Sequence, residues 1–234
     1  MHETAEPETG GRVLAPAVVA GVATLVFLLL MVSATGTLPW TKGFDLAVHS
    51  WLVAHRCAAV VSFAATLTST ASSAFAVPAV FLAAIALTRG SLGARLARAA
   101  WVTGVVGLGV LCRYGLSALI ARPRPPEADW AVTASGQSFP SGHTSDAILA
   151  AGMLAWLAAQ RLHDRPVLRA TVWIVAGTYV AAIAWTRVYL GVHWPTDVIG
   201  SIAFGTAWLC GALVVRRALL SGGRSGAKPS SAPD

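Results

Sequence analysis

The sequence predicts an all-α integral membrane protein, in which six membrane-spanning helices form a bundle with one short interfacial helix. Hydrophobic residues account for 56% of the 234 residues and charged residues for 12%, against roughly 25% charged residues in soluble domains. The charged residues are clustered, so that long uncharged runs separate them. Such a chain cannot bury its apolar surface in one soluble core, and its uncharged runs are long enough to cross a bilayer.

The first span is predicted at residues 14–34, within an uncharged run from Val13 to Thr41. A cleaved signal peptide is the rival interpretation. The preceding stretch is acidic, however, with Glu3, Glu6 and Glu8, and the apolar run is too long for a signal core.

A short amphipathic segment follows, between Lys42 and Arg56. Apolar residues recur there at helical spacing, which predicts a helix lying at the membrane interface. On this helix we expect Asp45 at the protein surface and His49 in a solvated or headgroup environment.

The next uncharged run extends from Cys57 to Thr88 and would measure about 48 Å as one helix, well beyond a hydrocarbon core of about 30 Å. Small polar residues fill its middle, so we expect a break there and a second span at residues 71–88. The remaining apolar runs predict four further spans, at residues 99–120, 142–160, 168–185 and 197–215.

The chain is thereby divided into a cytoplasmic N-terminal tail at 1–12, the six-span domain at 13–216, and a basic, disordered cytoplasmic tail at 217–234. One set of alternate connections holds eleven of the seventeen basic residues. The positive-inside rule places this set in the cytoplasm. The other six cations lie on the opposite side, where topology does not require them.

Polar motifs mark the outer ends of spans three to six. The sequence ARPRPP covers residues 121–126, and FPSGH covers residues 139–143. A third segment contains Arg187, His193 and Asp197. If the spans pack as a bundle, the three segments share one membrane face beside the lipid.

The arginines of these segments suit a phosphate ligand. Transfer of a phosphoryl group requires cations held around its equatorial oxygens, and arginine supplies a permanently charged, bidentate fork. Arg122, Arg124 and Arg187 make such a clamp, and the prolines after the first two stiffen their loop.

The FPSGH segment adds backbone donors to the clamp. Ser141 is a natural N-cap that opens a helix after Pro140. The free amides at that helix start, including those of Gly142 and His143, can bind phosphate oxygens.

Two histidines supply the remaining chemistry. His193 and Asp197 are four residues apart at a helix start, so the carboxylate can reach one imidazole nitrogen and leave the other free to attack. His143 can then protonate the leaving oxygen as general acid. This chemistry needs no metal or other cofactor, and no residue cluster has metal-ligand spacing.

The motifs resemble those of the type 2 phosphatidic acid phosphatases, also called lipid phosphate phosphatases. The signature Pro-Ser-Gly-His is complete at residues 140–143. The signature Ser-Arg-x5-His-x3-Asp is present with Thr186 in place of serine, and Lys-x6-Arg-Pro is partly present at Arg124-Pro125. The resemblance covers roughly residues 40–215.

The resemblance implies roles for these residues. His193 is the nucleophile, Asp197 its orienting partner and His143 the general acid. Four further residues would hold the phosphate: Arg124, Arg187, Ser141 and Gly142. The lysine of the family falls at Ser117, which carries no charge, and we expect Arg113, one helical turn earlier, or Arg122 to replace it.

The resulting hypothesis is a membrane phosphatase acting on a lipid phosphate or diphosphate from the extracytoplasmic face of the cell membrane. An isoprenoid diphosphate such as undecaprenyl diphosphate is the first expectation, and phosphatidic acid and phosphatidylglycerol phosphate are equally permitted. We expect no nucleic-acid partner, and the sequence leaves the oligomeric state open. Three alternatives remain: a lipid-linked phosphotransferase, a vanadate-dependent haloperoxidase and a non-enzymatic lipid carrier.

Overall fold

The structure, a computed structural model, describes residues 9–38 and 40–225. The described residues form eight α-helices and one short 3-10 helix at Glu127–Asp129. The α-helices are, in chain order, α1 (Thr9–Ala34), α2 (Lys42–Ala54), α3 (Ala58–Ser69), α4 (Ser73–Leu87), α5 (Leu92–Ile120), α6 (Gly142–Arg161), α7 (Pro166–Tyr189) and α8 (Pro195–Ser225).

The all-α fold class is confirmed. Four helices, α1, α5, α7 and α8, are long and apolar enough to cross a membrane, and the bent pair of α2 and α3 makes a fifth if it counts as one span. The other two predicted spans correspond to α4, which is a shorter apolar helix of 15 residues, and α6, whose first turns carry the polar residues Thr144, Ser145 and Asp146. The number of six spans therefore stays a prediction.

Local sequence signals account for several helix ends. Pro166 and Pro195 open α7 and α8, where the missing N–H of proline costs nothing. Helix α5 ends at Ala121, whose φ of 51° is left-handed. The predicted break in the run from Cys57 to Thr88 lies between Ser69 and Ser73 and is confirmed.

One expectation about the C-terminal end of the chain is corrected. The tail predicted as disordered from residue 217 is helical as far as Ser225, since Ala218, Leu219 and Leu220 favour helix. Helix α1 begins at Thr9, and its apolar part, Leu14–Ala34, coincides with the first predicted span. Residues 1–8 and 226–234 lie outside the described residues.

Helix α6 is the centre of the bundle. It packs against α4, α5, α7 and α8, while α1 lies along α8. Glycines allow the close approach of α6 to α8: a Cβ on Gly205 would lie 2.1 Å from Ile148, and a Cβ on Gly152 would lie 2.5 Å from Leu209. Small residues at helix crossings are characteristic of membrane bundles.

The packing brings four helix ends together. The C-terminal ends of α5 and α7, the N-terminal ends of α4 and α6, and the connections before α6 and α8 supply the residues that line one cavity. Helix α2 contacts α7 and α8 beside this cavity. Large apolar side chains such as Leu14, Val167 and Ile174 are exposed on the outer surface of the bundle, as expected of residues that face lipid.

Candidate active site

A cavity of about 590 Å³ lies where the three polar segments meet. Its lining includes most of the residues expected to act on phosphate: Arg113, Arg124, Gly142, His143, Arg187 and His193. The sequence placed the three segments on one face, and the structure brings them to one cavity.

His193 lies in the connection between α7 and α8 and is 1% exposed. Its Nδ1 is 3.3 Å from Oδ2 of Asp197, and its Nε2 is 2.9 Å from an NH1 nitrogen of Arg124. A guanidinium donates hydrogen bonds and accepts none, so Nε2 must be the acceptor and Nδ1 carries the proton. The reactive lone pair of His193 therefore faces Arg124 and the cavity.

Arg124 is held in place by the backbone of its surroundings. Its Nε donates to the carbonyl oxygen of Gly136 at 3.0 Å, and NH2 donates to that of Ser135 at 2.8 Å. NH1 donates both to the carbonyl of Val192, at 2.7 Å, and to His193. A phosphate bound in front of His193 would accept the NH1 hydrogen that otherwise bonds to Nε2, and the lone pair of Nε2 would then be free to attack.

Burial lowers the pKa of His193 to about 4; the hydrogen bond to Asp197 opposes this effect and the charge of Arg124 adds to it. The imidazole is therefore neutral above pH 4 and becomes protonated as the pH falls through that value. In NMR of protein labelled with 13C at the histidine Cε1, we expect the His193 resonance to stay constant from pH 7.5 to 5. Its absence from His193→Gln assigns it, and a midpoint near the ordinary value of about 6.5 would contradict the expectation.

Asp197 is completely buried behind His193. Its Oδ2 accepts hydrogen bonds from the backbone N–H of Trp194, at 2.8 Å, and from the hydroxyl of Ser138. Its Oδ1 accepts from Arg122. These donors keep the carboxylate ionised in a dry site, and they fix the direction in which it holds the His193 ring.

Arg122 is the clearest correction to the expected site. Its guanidinium lies in ion pairs with Asp197 and with Asp45, the latter at 2.7 Å. It does not line the cavity around His193. Both carboxylates are buried, so Arg122 is committed to them and is not free to bind the transferred phosphate.

Asp45 and His49 are also placed differently from expectation. Asp45 is 2% exposed and His49 is 3% exposed, because this face of α2 packs onto the bundle. Asp45 accepts hydrogen bonds from the backbone N–H of Thr196, at 3.0 Å, and from its hydroxyl, at 2.7 Å. A chain of contacts thus runs from Asp45 through Arg122 to Asp197.

We expect Asp45→Asn to lower kcat roughly tenfold with KM unchanged, since it removes a charged hydrogen-bond acceptor that sets the position of Arg122. Steady-state phosphate release and the melting temperature in detergent test this. Asp164→Asn is the matched control, because that side chain is 81% exposed. A parallel loss of folded protein and activity, with kcat per folded molecule unchanged, would reduce Asp45 to a structural role.

Arg187 lies at the end of α7 and is 4% exposed. Its NH1 donates to the hydroxyl of Thr68 at 3.2 Å, while its buried Nε has no hydrogen-bond partner among the described residues. A buried, unpaired donor is costly. Its position on the cavity wall makes an anionic ligand the natural partner.

The N-terminus of α6 borders the same cavity. Ser141 occupies the N-cap position, as the sequence indicated, but its side chain makes no capping hydrogen bond. The hydroxyl accepts instead from Thr144 at 3.2 Å and is completely buried. Gly142 and His143 line the cavity and Ser141 does not, so the backbone amides of the first turn are its contribution to anion binding.

The structure separates the two arginines that were expected to replace the family lysine. Arg113 lines the cavity with Ser117, whereas Arg122 lies behind His193. Sequence reasoning did not single out Ser138, and it gave Asp45 no role beyond a surface position. Both are single polar residues in loop or amphipathic contexts, and no spacing relates either of them to Asp197.

Comparison with known proteins connects this geometry to a family. The family model described as the PAP2 superfamily matches residues 98–220, more than half of the chain. Phosphatidylglycerophosphatase B of Bacillus subtilis (strain 168) is 36% identical over 101 residues, which cover 43% of this chain and 49% of that protein. YbjG of Escherichia coli (strain K12), whose name proposes an undecaprenyl-diphosphatase, is 34% identical over 37% of this chain and 38% of its own length.

The chain therefore matches about half the length, or less, of these curated relatives. A solved structure matches a larger share of this chain than either of these relatives. The crystal structure described as the first transmembrane PAP2-type phosphatidylglycerolphosphate phosphatase, from Bacillus subtilis, matches 90% of this chain and 98% of its own, with a TM-score of 0.72 and 24% identity. The likeness shows a shared fold, that of a multi-pass membrane protein.

Proposed function

The chain belongs to the PAP2 superfamily, and we propose that it is a membrane phosphatase that removes a terminal phosphate from a lipid phosphate or diphosphate. The observation that carries the proposal is the environment of His193. Its Nε2 faces a cavity that Arg124 and Arg187 line, and its Nδ1 is held by a buried carboxylate.

In the first step, Nε2 of His193 attacks the phosphorus of the lipid phosphate. The Nε2–P bond forms as the bond from phosphorus to the lipid oxygen breaks. Arg124 and Arg187 neutralise the charge on the equatorial oxygens, where positioned cations lower the barrier most. His143 takes up a proton as the anionic phosphate binds beside it and passes that proton to the leaving oxygen, while Asp197 stabilises the positive charge that develops on His193.

In the second step, water attacks phosphorus and the Nε2–P bond breaks. His143, now neutral, accepts the proton of the water as general base. Free phosphate leaves and His193 returns to its starting form, with its proton on Nδ1. Both steps draw their positive charge from arginine side chains, so we expect the reaction to proceed in the presence of EDTA.

The site is proposed to face the extracytoplasmic side of the cell membrane. The basis is the charge distribution, since eleven of the seventeen basic residues belong to the connections on the opposite side. The names of the curated relatives supply substrate candidates, phosphatidylglycerol phosphate and undecaprenyl diphosphate. Phosphatidic acid is a third candidate with an uncharged leaving group.

The test is phosphate release by the purified protein in detergent, with EDTA, from each of these three lipids. A mock preparation from cells without the protein measures contaminating phosphatases. Release well above the mock from at least one lipid is the expected result. Disappearance of the lipid phosphate without free phosphate, in the presence of an alcohol acceptor, would instead favour a phosphotransferase. No reaction with any lipid would contradict the proposal.

A further inference from the structure

A second charged group lines the same cavity as His193. It comprises Arg113 and Tyr114 on α5, Asp146 on α6 and Ser73 at the start of α4, and we refer to it as the Arg113 cluster. Arg113 is 6% exposed and Asp146 is 3% exposed. The mechanism above uses none of these residues.

The contacts of the cluster leave polar atoms available. The guanidinium of Arg113 lies over the ring of Tyr114, 3.5 Å from its centre, and its NH2 is 3.8 Å from Oδ1 of Asp146. That separation is too long for a hydrogen bond. Arg113 Nε and Asp146 Oδ1 are both buried and have no hydrogen-bond partner within the described part of the chain. An unpaired buried donor such as Arg113 Nε is expensive unless an acceptor on a ligand or a water satisfies it, whereas Asp146 Oδ1 needs a donor.

The cluster occupies the His143 side of the cavity. A Cβ on Gly142 would lie 3.3 Å from NH1 of Arg113, so the guanidinium rests on the turn that carries His143. Arg113 is among the charges that act on His143, together with those of Arg187 and Arg124. Arg113 therefore lies on the part of the cavity wall that is next to His143.

The position of Arg113 next to His143 determines which part of the substrate it can contact. The attacking and leaving atoms lie roughly in line on opposite sides of phosphorus. With His193 attacking, the leaving oxygen points toward the general acid, His143. Arg113 thus lies beside the part of the substrate that departs, beyond the phosphate that Arg124 and Arg187 hold.

We propose that Arg113 binds an anionic group on the leaving part of the substrate, so that the site favours lipid phosphates whose leaving group is itself charged. The anion is the second phosphate of a lipid diphosphate or the phosphodiester of a glycerol headgroup. Asp146 is a positioning residue that holds the guanidinium at the wall. The inference rests on the proposed phosphatase function.

The experiment compares kcat/KM of the wild type and Arg113→Gln on three lipids: an isoprenoid diphosphate, phosphatidylglycerol phosphate and phosphatidic acid. We expect Arg113→Gln to lose about tenfold or more on the first two, the size of one charged hydrogen bond, and less than about threefold on phosphatidic acid. Loss on one charged lipid alone identifies which anion Arg113 binds. Arg89→Gln, an exposed arginine remote from the cavity, is the matched control.

Equal losses on all three lipids would overturn the inference, because Arg113 would then serve the transferred phosphate. Unchanged rates on all three would overturn it as well. Arg113→Lys keeps the charge and the packing of the stem, and it replaces Arg113→Gln if that variant does not fold; we expect its losses to be smaller but confined to the same lipids. A wild-type protein inactive on every lipid would contradict the phosphatase function itself, whereas an active enzyme with unchanged selectivity contradicts the role of Arg113 alone.

Discussion

A protein in which asparagine replaces His193 is expected to lose phosphate release by on the order of 10⁴-fold or more, the scale seen when an enzyme loses its nucleophile. Asparagine is close in size but has no basic ring nitrogen that could attack phosphorus. His193 is 1% exposed, and its contacts with Arg124 and Asp197 fix its ring at the cavity wall. Phosphate release from the best lipid substrate measures the effect.

The matched control is His55→Asn, which changes an exposed histidine of the segment after α2 and should behave as wild type. Rapid quenching of the wild type with a lipid carrying 32P should also trap labelled protein, stable in alkali and labile in acid. His193→Asn should trap none. Retention of more than about 1% of the wild-type activity in His193→Asn would require a different nucleophile.

Replacing Arg124 with alanine is expected to lower kcat/KM by on the order of 10³-fold, within the range for cations that stabilise a transferring phosphoryl group. The loss combines two effects, because Arg124 both faces the phosphate site and donates to Nε2 of His193. The carbonyls of Ser135, Gly136 and Val192 fix the fork in its place.

Arg124→Lys separates charge from geometry. Lysine keeps the charge but cannot reproduce a planar fork that contacts three carbonyls and the imidazole together. We therefore expect an intermediate rate, and Arg89→Ala should match the wild type. If Arg124→Lys equalled the wild type, charge alone would account for the role of Arg124; an active Arg124→Ala would remove it from the mechanism.

The sequence predicted the helical architecture well because the membrane imposes a simple rule. Spanning helices must be long, apolar and largely uncharged, and such runs can be read directly from the chain. The break before Ser73 was visible for the same reason, as polar residues interrupt an apolar run that is too long for one span. The start of α6 is less apolar, because Asp146 and its polar neighbours are buried in the bundle rather than exposed to lipid.

The motifs predicted the residues that line the candidate site, but they did not predict the residues that hold those side chains in place. His193, His143, Arg124 and Arg187 stand in segments whose residue types already indicate phosphate chemistry. Ser138 and Asp45 escaped prediction because their importance comes from a partner distant in the chain: Asp197 for Ser138, and Thr196 and Arg122 for Asp45. A single serine or aspartate has no signal of its own in the sequence.

By itself the sequence determined that this chain is an all-α membrane protein with arginines and histidines gathered at one end of its helices. The tertiary structure decided which way each of those side chains faces. Arg113 and Arg122 are nearly equivalent in the sequence, yet the left-handed turn at Ala121 lies between them, and α2 presents Asp45 to Arg122. Arg113 consequently faces the cavity and Arg122 is held behind His193. Composition and periodicity follow from the solvent around each helix, whereas the direction of a buried charge depends on the partner that packing brings to it.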